Sequence, residues 1–204
     1  MDSITLEKKS RKSPTKVPNY LIYEVVKGEP IYYKGYKDVL NKTKTFEEII
    51  MDSTLQAWLK SRLTIFMGNY LLEKGYDITT GEQGLFMPNG DKRGADIAIF
   101  KADELVLDAH YSRISPVIIV EIDVKIHTES TTEFDYVVEK VRDYHAFGVK
   151  NVIWIFTKNR KIMVAKNNQP WLTLDWTADV DVIEGLTLNI AEMVAKSKFI
   201  LKQK

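Results

Sequence analysis

Three carboxylates set among apolar residues are the groups of this sequence best suited to chemistry. Glu121 and Asp123 lie in the run 116–125, Pro-Val-Ile-Ile-Val-Glu-Ile-Asp-Val-Lys, and Asp96 lies earlier, in Gly-Ala-Asp-Ile-Ala-Ile-Phe. The apolar, β-branched opening of the run predicts a strand buried on both faces. Alternation puts Val117, Ile119, Glu121, Asp123 and Lys125 on one side, and Ile118, Val120, Ile122 and Val124 on the other. The first side therefore turns from apolar to charged halfway along. Because unpaired buried charge is costly, that half must open on a cleft, pair its charges or hold a cation.

Residues 94–100 alternate as well, with Ala95, Ile97 and Ile99 on one face and Asp96, Ala98 and Phe100 on the other. Laid beside the 116–125 strand, they bring Asp96 next to Glu121. Two carboxylates from neighbouring strands, with the Ile122 carbonyl between them, form an oxygen set suited to Mg²⁺ or Mn²⁺. Such an ion neutralises a phosphodiester, lowers the pKa of its water and steadies the leaving oxygen. A lysine nearby would orient the attacking water or stabilise the developing charge. Lys125, on the Glu121 face, and Lys140, on the following helix with Tyr136 and Tyr144 one turn to either side, both qualify.

The elements that must position these groups are legible from pattern. Residues 20–26 and 30–33 read as two short strands around Lys27-Gly28, a hairpin. Residues 45–74 read as helical, with Leu55, Trp58, Leu59, Ile65, Phe66 and Tyr70 at three- and four-residue steps, a break near Asp52-Ser53 and a stop at Gly75. Residues 76–87 look extended, with turns at Gly81 and at Pro88-Asn89-Gly90, and 101–115 read as loop. A capping box from Ser130 and Glu133, or a start at Thr132, opens a helix. Its buried stripe is expected from Phe134, Val137, Val138, Val141 and His145, and it ends at Gly148. A strand at 151–157, a hairpin into 161–165 and a last helix near 188–198 follow. The strand–helix–strand unit predicts a right-handed crossover between parallel neighbours.

Length and composition set the frame. The 204 residues suffice for one domain with a substantial core. Residues 1–18, with Lys8, Lys9, Arg11, Lys12 and Lys16, read as a disordered basic tail, and 19–204 as the domain. A net charge of +1 neither announces nucleic acid nor excludes it. With no cysteine, disulfides, thiolate-bound zinc and thiol catalysis are excluded. No signal peptide and no membrane-spanning run are apparent, so a cytoplasmic protein without membrane partners is expected.

The order of these pieces resembles the PD-(D/E)xK nuclease superfamily, and more narrowly the Uma-two family of restriction endonuclease-like proteins. The matching pieces are Tyr23-Glu24-Val25-Val26-Lys27-Gly28-Glu29, Leu55-Gln56-Ala57, Arg93-Gly94-Ala95-Asp96-Ile97-Ala98 and Val120-Glu121-Ile122. Lys140 through Tyr144 to Gly148-Val149, and Val152-Ile153-Trp154-Ile155, complete them. The resemblance implies a restriction endonuclease-like α/β (α+β) core with a mixed central sheet flanked by helices. It also implies Mg²⁺-dependent phosphodiester cleavage of DNA and a homodimer. Carried over by position, Asp96 is the acidic residue, Glu121 the strand glutamate and Lys140 the helix lysine. Ala95 stands where the family usually has proline, and Asp123 where a lysine or serine is usual. Two registers therefore stay open: Glu121-Ile122-Asp123 with the lysine supplied by Lys140, or Asp123-Val124-Lys125 with the usual ending. The first is preferred for the metal, with Asp123 as an additional ligand.

Plainer explanations stand beside these. Asp96 and Glu121 could pair with Lys125 or Arg93 as ordinary ion pairs in a sheet. Glu82 is a further candidate ligand or a surface carboxylate, and Glu47 and Glu48 could reach the site or serve the helix dipole. His110, His127 and His145 lack metal-ligand spacing. Trp154 and Phe156 belong to the core. Tyr32, Tyr33 and Tyr36, with Lys34 and Lys37, touch nucleic acid or pack as an aromatic hairpin. The competing function is a catalytically inactive nuclease-fold module for DNA binding or dimerisation.

Overall fold

The computed structural model describes residues 17–127 and 132–197, so most of the basic tail and Ser130 lie outside the described residues. After a short 3-10 turn at Asn19–Leu21, the strands are β1 (Ile22–Val26), β2 (Glu29–Tyr32), β3 (Tyr76–Phe86), β4 (Lys92–Lys101) and β5 (Ile118–Ile122). They continue as β6 (Asn151–Phe156), β7 (Lys161–Lys166), β8 (Leu172–Asp175), β9 (Val180–Ile183) and β10 (Leu186–Leu188). The helices are α1 (Tyr36–Leu40), α2 (Phe46–Ile50), α3 (Thr54–Leu71), α4 (Glu133–Phe147) and α5 (Ile190–Ala195).

Eight strands form one mixed sheet in the order β2-β1-β4-β5-β6-β7-β8, with β3 beside β4. Among its described strands only β5 and β6 pair in parallel, joined through α4 as the crossover requires. Isoleucines and valines of β4, β5 and β6 pack on one face against Leu59, Leu63, Met67 and Leu71 of α3 and against β9, β10 and α5. Ile119, Val152 and Trp154 pack on the other face against Tyr136, Val137, Val141 and Tyr144 of α4. The hairpin at Lys27-Gly28, the split of the helical stretch and the irregular 101–115 segment agree with the sequence. The strands β8, β9 and β10 add to the expected set; they are three- and four-residue pieces, too short for the alternation in Leu-Thr-Leu-Asp, Val-Asp-Val and Leu-Thr-Leu to mark a strand by itself. The last helix is correspondingly shorter than expected, because Leu188 closes β10.

Three local corrections bear on the site. First, β3 is one continuous strand, and Gly81 opens a β-bulge rather than a turn. Thr80 pairs with Ile97 and Gln83 with Ala95, so Gly81 and Glu82, both at positive φ, face the single residue Asp96. The bulge breaks the alternation of β4, so Ala95 joins Ala98 and Phe100 on the α4 face instead of following Ile97.

Second, the strand carrying Glu121 ends at Ile122, three residues short of Lys125. Asp123 turns at φ 60°, leaving the face it was expected to share with Glu121. Its carboxylate accepts from the Thr157 backbone N–H at 2.7 Å, the Thr157 hydroxyl at 2.6 Å and the Gln56 amide at 2.9 Å. The segment beyond is then held by β2, with Lys34 N–H donating to the Lys125 carbonyl and His127 N–H to the Tyr32 carbonyl.

Third, the buried stripe of α4 is Tyr136, Val137, Lys140, Val141 and Tyr144, and its capping box is Thr132 with Asp135. Phe134 is 66% exposed, rotated out of the expected stripe.

Asp123 therefore ties the end of β5 to β6 and to α3. Asp123→Ala strands the Thr157 and Gln56 donors and places a non-glycine without a local acceptor at positive φ. The expected loss is about 3 kcal/mol in urea unfolding. Asp123→Asn, which keeps an acceptor and tolerates that φ, is expected to lose less.

Candidate functional site

Extending the β4–β5 register by one position beyond Ile97↔Val120 places Asp96 opposite Glu121, as the sequence suggested. Asp96 is 2% exposed and Glu121 3% exposed. Asp96 Oδ2 accepts from the Ile122 backbone N–H at 2.8 Å. Its Oδ1 receives Lys60 Nζ at 2.7 Å and Lys125 Nζ at 3.1 Å. Glu121 Oε1 receives the Tyr144 hydroxyl and, at 3.2 Å, Lys140 Nζ. The two carboxylates line one recess but take their lysines from different helices, Asp96 from α3 through Lys60 and Glu121 from α4 through Lys140. Both lysine candidates reach the site, each at a different carboxylate.

Lys125 returns to Asp96 because β2 holds its backbone after the turn at Asp123. Lys140, 1% exposed, is no surface lysine. Its second partner is Glu24 of β1, at 3.0 Å. Glu24 also takes Arg93 Nη1 at 2.8 Å, the Tyr136 hydroxyl at 2.9 Å and the Gly94 N–H at 3.1 Å. Arg93 pairs with Glu24 and Asp143 rather than with Asp96. Nearer the surface, Asp52, in the link between α2 and α3, lies 2.7 Å from Lys60 and 3.2 Å from Lys125. Glu82, on the bulge, bonds Lys125 and accepts from the Tyr23 hydroxyl at 3.3 Å.

Lys60, Asp52 and Glu24 were not singled out from sequence. Lys60 carried a usable signal: it falls one residue after Leu59 and one turn before Leu63, inside the apolar face of α3. Glu47 and Glu48 stay in the first turn of α2, where Glu48 completes a capping box with Thr45. Tyr32 stacks on Tyr36, and Tyr33 packs edge-on against Tyr23 and Phe46, so the aromatic hairpin packs on its own neighbours.

Electrostatics separate the two carboxylates. Burial disfavours charge on Asp96, but Lys125 and Lys60 overcome it and hold the group below its usual range. Glu121 goes the other way: burial, opposed by Lys140 and reinforced by Asp96, pushes it up to about 7. Lys140 cannot offset this because it is shared with Glu24, which burial disfavours but which Lys140 and Arg93 keep ionised.

Hard carboxylate oxygens beside a backbone carbonyl are the donor chemistry of Mg²⁺ and Mn²⁺. Among the described residues no three acidic or histidine side chains are grouped to hold a metal by themselves. Two carboxylates fit Mg²⁺ nonetheless, since that ion keeps several waters and takes substrate phosphate oxygens.

Glu121 also fixes a stability dependence. A carboxyl whose pKa is higher in the folded state binds more protons folded than unfolded between the two values, so its contribution is present below the unfolded pKa and lost as pH rises through the folded one. For Glu121 that window runs from its ordinary 4.5 to about 7. Relative to Glu121→Gln, the wild-type protein is expected to lose on the order of 3 kcal/mol across it. Parallel denaturation of both proteins at several pH values measures the difference; equal slopes would refute the shift.

Comparison with known proteins places this geometry. The family model described as "Putative restriction endonuclease", Uma2, matches residues 46–191. No curated protein sequence matches the chain. Among solved structures, the chain is similar to a protein described as a "putative nuclease belonging to DUF820" from Anabaena variabilis ATCC 29413. The identity is 14%, the TM-score is 0.62, and the match covers 84% of this chain and 89% of that one. A DrdV–DNA complex aligns at 14% identity over 67% of this chain and 11% of that one, with a TM-score of 0.36, too low to carry structural inference. The DUF820 match extends along nearly the whole domain and shows its restriction endonuclease-like fold. With the family model spanning well over half of its residues, including Asp96, Glu121, Lys125 and Lys140, the chain belongs to the Uma2 restriction endonuclease family.

Proposed function

We propose that this protein is a divalent-cation-dependent nuclease that hydrolyses phosphodiester bonds of DNA. The observation that carries the reading is the placement of Asp96 and Glu121 opposite each other at the end of the sheet, each within reach of a lysine. Asp96, Glu121 and the Ile122 carbonyl would hold Mg²⁺ or Mn²⁺, which supplies charge neutralisation and an acidified water when bound. Lys125 and Lys140 are the catalytic lysine candidates. Lys125 is the more accessible of the two and is suited to orienting water or binding the phosphate, whereas Lys140, at 1% exposure, holds Glu121. Asp123 contributes by fastening β5, its carboxylate being committed to Thr157 and Gln56. Family membership supports DNA as the substrate class and also carries the expectation of a homodimer, which sedimentation would test. No helix among the described residues is long and apolar enough to cross a membrane.

A second reading, a catalytically inactive nuclease-fold module, is favoured by the burial of both carboxylates and by their full engagement in ion pairs and hydrogen bonds. Titration calorimetry with Mn²⁺, alongside cleavage assays on varied DNA, separates the two. The wild type is expected to bind Mn²⁺ saturably and to cleave only with a divalent ion, and the Asp96→Ala, Glu121→Ala double variant to do neither. Unimpaired cleavage by that variant would sink the active-site assignment. Absence of binding by the wild type, even with a DNA oligomer present, would establish the inactive module.

A further inference from the structure

Two ammonium groups converge on one oxygen in this site. Asp96 Oδ1 lies 2.7 Å from Lys60 Nζ and 3.1 Å from Lys125 Nζ. Like charges this close are tolerable only because three carboxylates surround them. Asp52 and Glu82 each contact both lysines, Asp52 most closely Lys60 at 2.7 Å and Glu82 most closely Lys125. The three carboxylates are not equally deep. The Asp96 side chain is 2% exposed, whereas Asp52 is 22% and Glu82 40% exposed. Each ammonium therefore shares the inner partner Asp96 and has a nearest outer partner, Asp52 for Lys60 and Glu82 for Lys125.

We propose that Lys60 and Lys125 are built-in counterions of Asp96 that a divalent cation displaces. Asp52 and Glu82 hold the displaced ammonium groups, so the cation binds before the phosphodiester. The inference rests on the cation-dependent reading above and deepens it. Its physical basis is charge. Without a cation, three carboxylates face two ammonium groups, and the cluster carries one net negative charge that repels a phosphodiester. With a divalent cation on Asp96, the same cluster carries one net positive charge. The displaced lysines stay paired, on carboxylates nearer to solvent, where a phosphate would arrive. Exchange therefore strands no buried charge, the step that would otherwise be prohibitive. Glu121 and Lys140 contribute no net change, being one charge of each sign when ionised.

Mn²⁺ titration calorimetry on wild type, Lys60→Met and, as a control for net charge, Lys34→Met tests the exchange; Lys34 is exposed and paired with Glu133. Lys60→Met removes a competitor and is expected to bind Mn²⁺ at least about tenfold more tightly than wild type, with Lys34→Met unchanged. Because Lys60→Met also leaves Asp52 and Asp96 short of a partner and could fold poorly, a second measurement uses the wild-type chain. Acylation of Lys60 by an amine reagent, read by peptide mass spectrometry, should rise several-fold on saturation with Mg²⁺. Equal or weaker Mn²⁺ binding by folded Lys60→Met, with the wild type binding, overturns the exchange and leaves the cation site standing. Unchanged labelling of Lys60 at saturating Mg²⁺ does the same. Binding by neither protein overturns the exchange and the cation-dependent reading together, whereas binding by Lys60→Met alone supports the exchange.

Discussion

A carboxylate buried in a sheet stays ionised only where donors converge on it, and Glu24 is the point at which this fold meets that demand. Its two oxygens collect a guanidinium, an ammonium, a phenol and a backbone N–H, drawn from β4 and α4 onto β1. Removing one member of such a set leaves an uncompensated buried charge, typically at 3–5 kcal/mol or about that. The position of α4 against the sheet is thereby fixed by charge as well as by the apolar contacts of Val137 and Val141. Lys140 arrives at Glu121 as a consequence, since the ammonium that neutralises Glu24 is the one Glu121 must share.

That sharing divides the site into two environments. Asp96, with two lysines of its own, is kept charged, while Glu121 sits with half an ammonium and a tyrosine hydroxyl and takes up a proton near neutrality. Two carboxylates on adjacent strands thus differ in protonation through their neighbours alone, the arrangement by which a single fold separates acid and base roles. The bulge in β3 and the turn at Asp123 are the backbone devices behind it. The first aims Glu82 at Asp96, and the second turns the chain so that Lys125 comes back to the same oxygen.

Most of the scaffold was legible because periodicity reports burial. The β-branched run of β5, the alternation in β4 and the strand–helix–strand unit each carry their own local signal. The proximity of Asp96 and Glu121 followed from two successive strands whose spacing lets them lie side by side, and β4 and β5 do pair, antiparallel. What stayed hidden was set by partners distant in sequence. No local feature of Asp-Val-Lys ends the strand before Lys125, because the groups that claim Asp123, Thr157 and Gln56, lie far from it in sequence. The stripe of α4 was assigned to apolar side chains, and Lys140, Tyr136 and Tyr144 were set beside it, although a buried stripe can include polar groups once they find partners. Lys60 is hidden for the same reason: a lysine on a helix is ordinarily solvated, and only the carboxylates opposite it explain its burial.

The ties between Glu24 and Lys140 and between Asp123 and Thr157 join points far apart along the chain. Contacts of such separation form late, since the loops they close must be ordered before they repay the entropy. A chain emerging from the ribosome in N-to-C order has Asp96 long before it has Lys140 or the Thr157 anchor. Until β6 is complete, β5 has neither its parallel neighbour nor the bond that ends it. Glu121 consequently lacks Lys140, and Asp123 its Thr157 anchor, until α4 and β6 have been added to the chain.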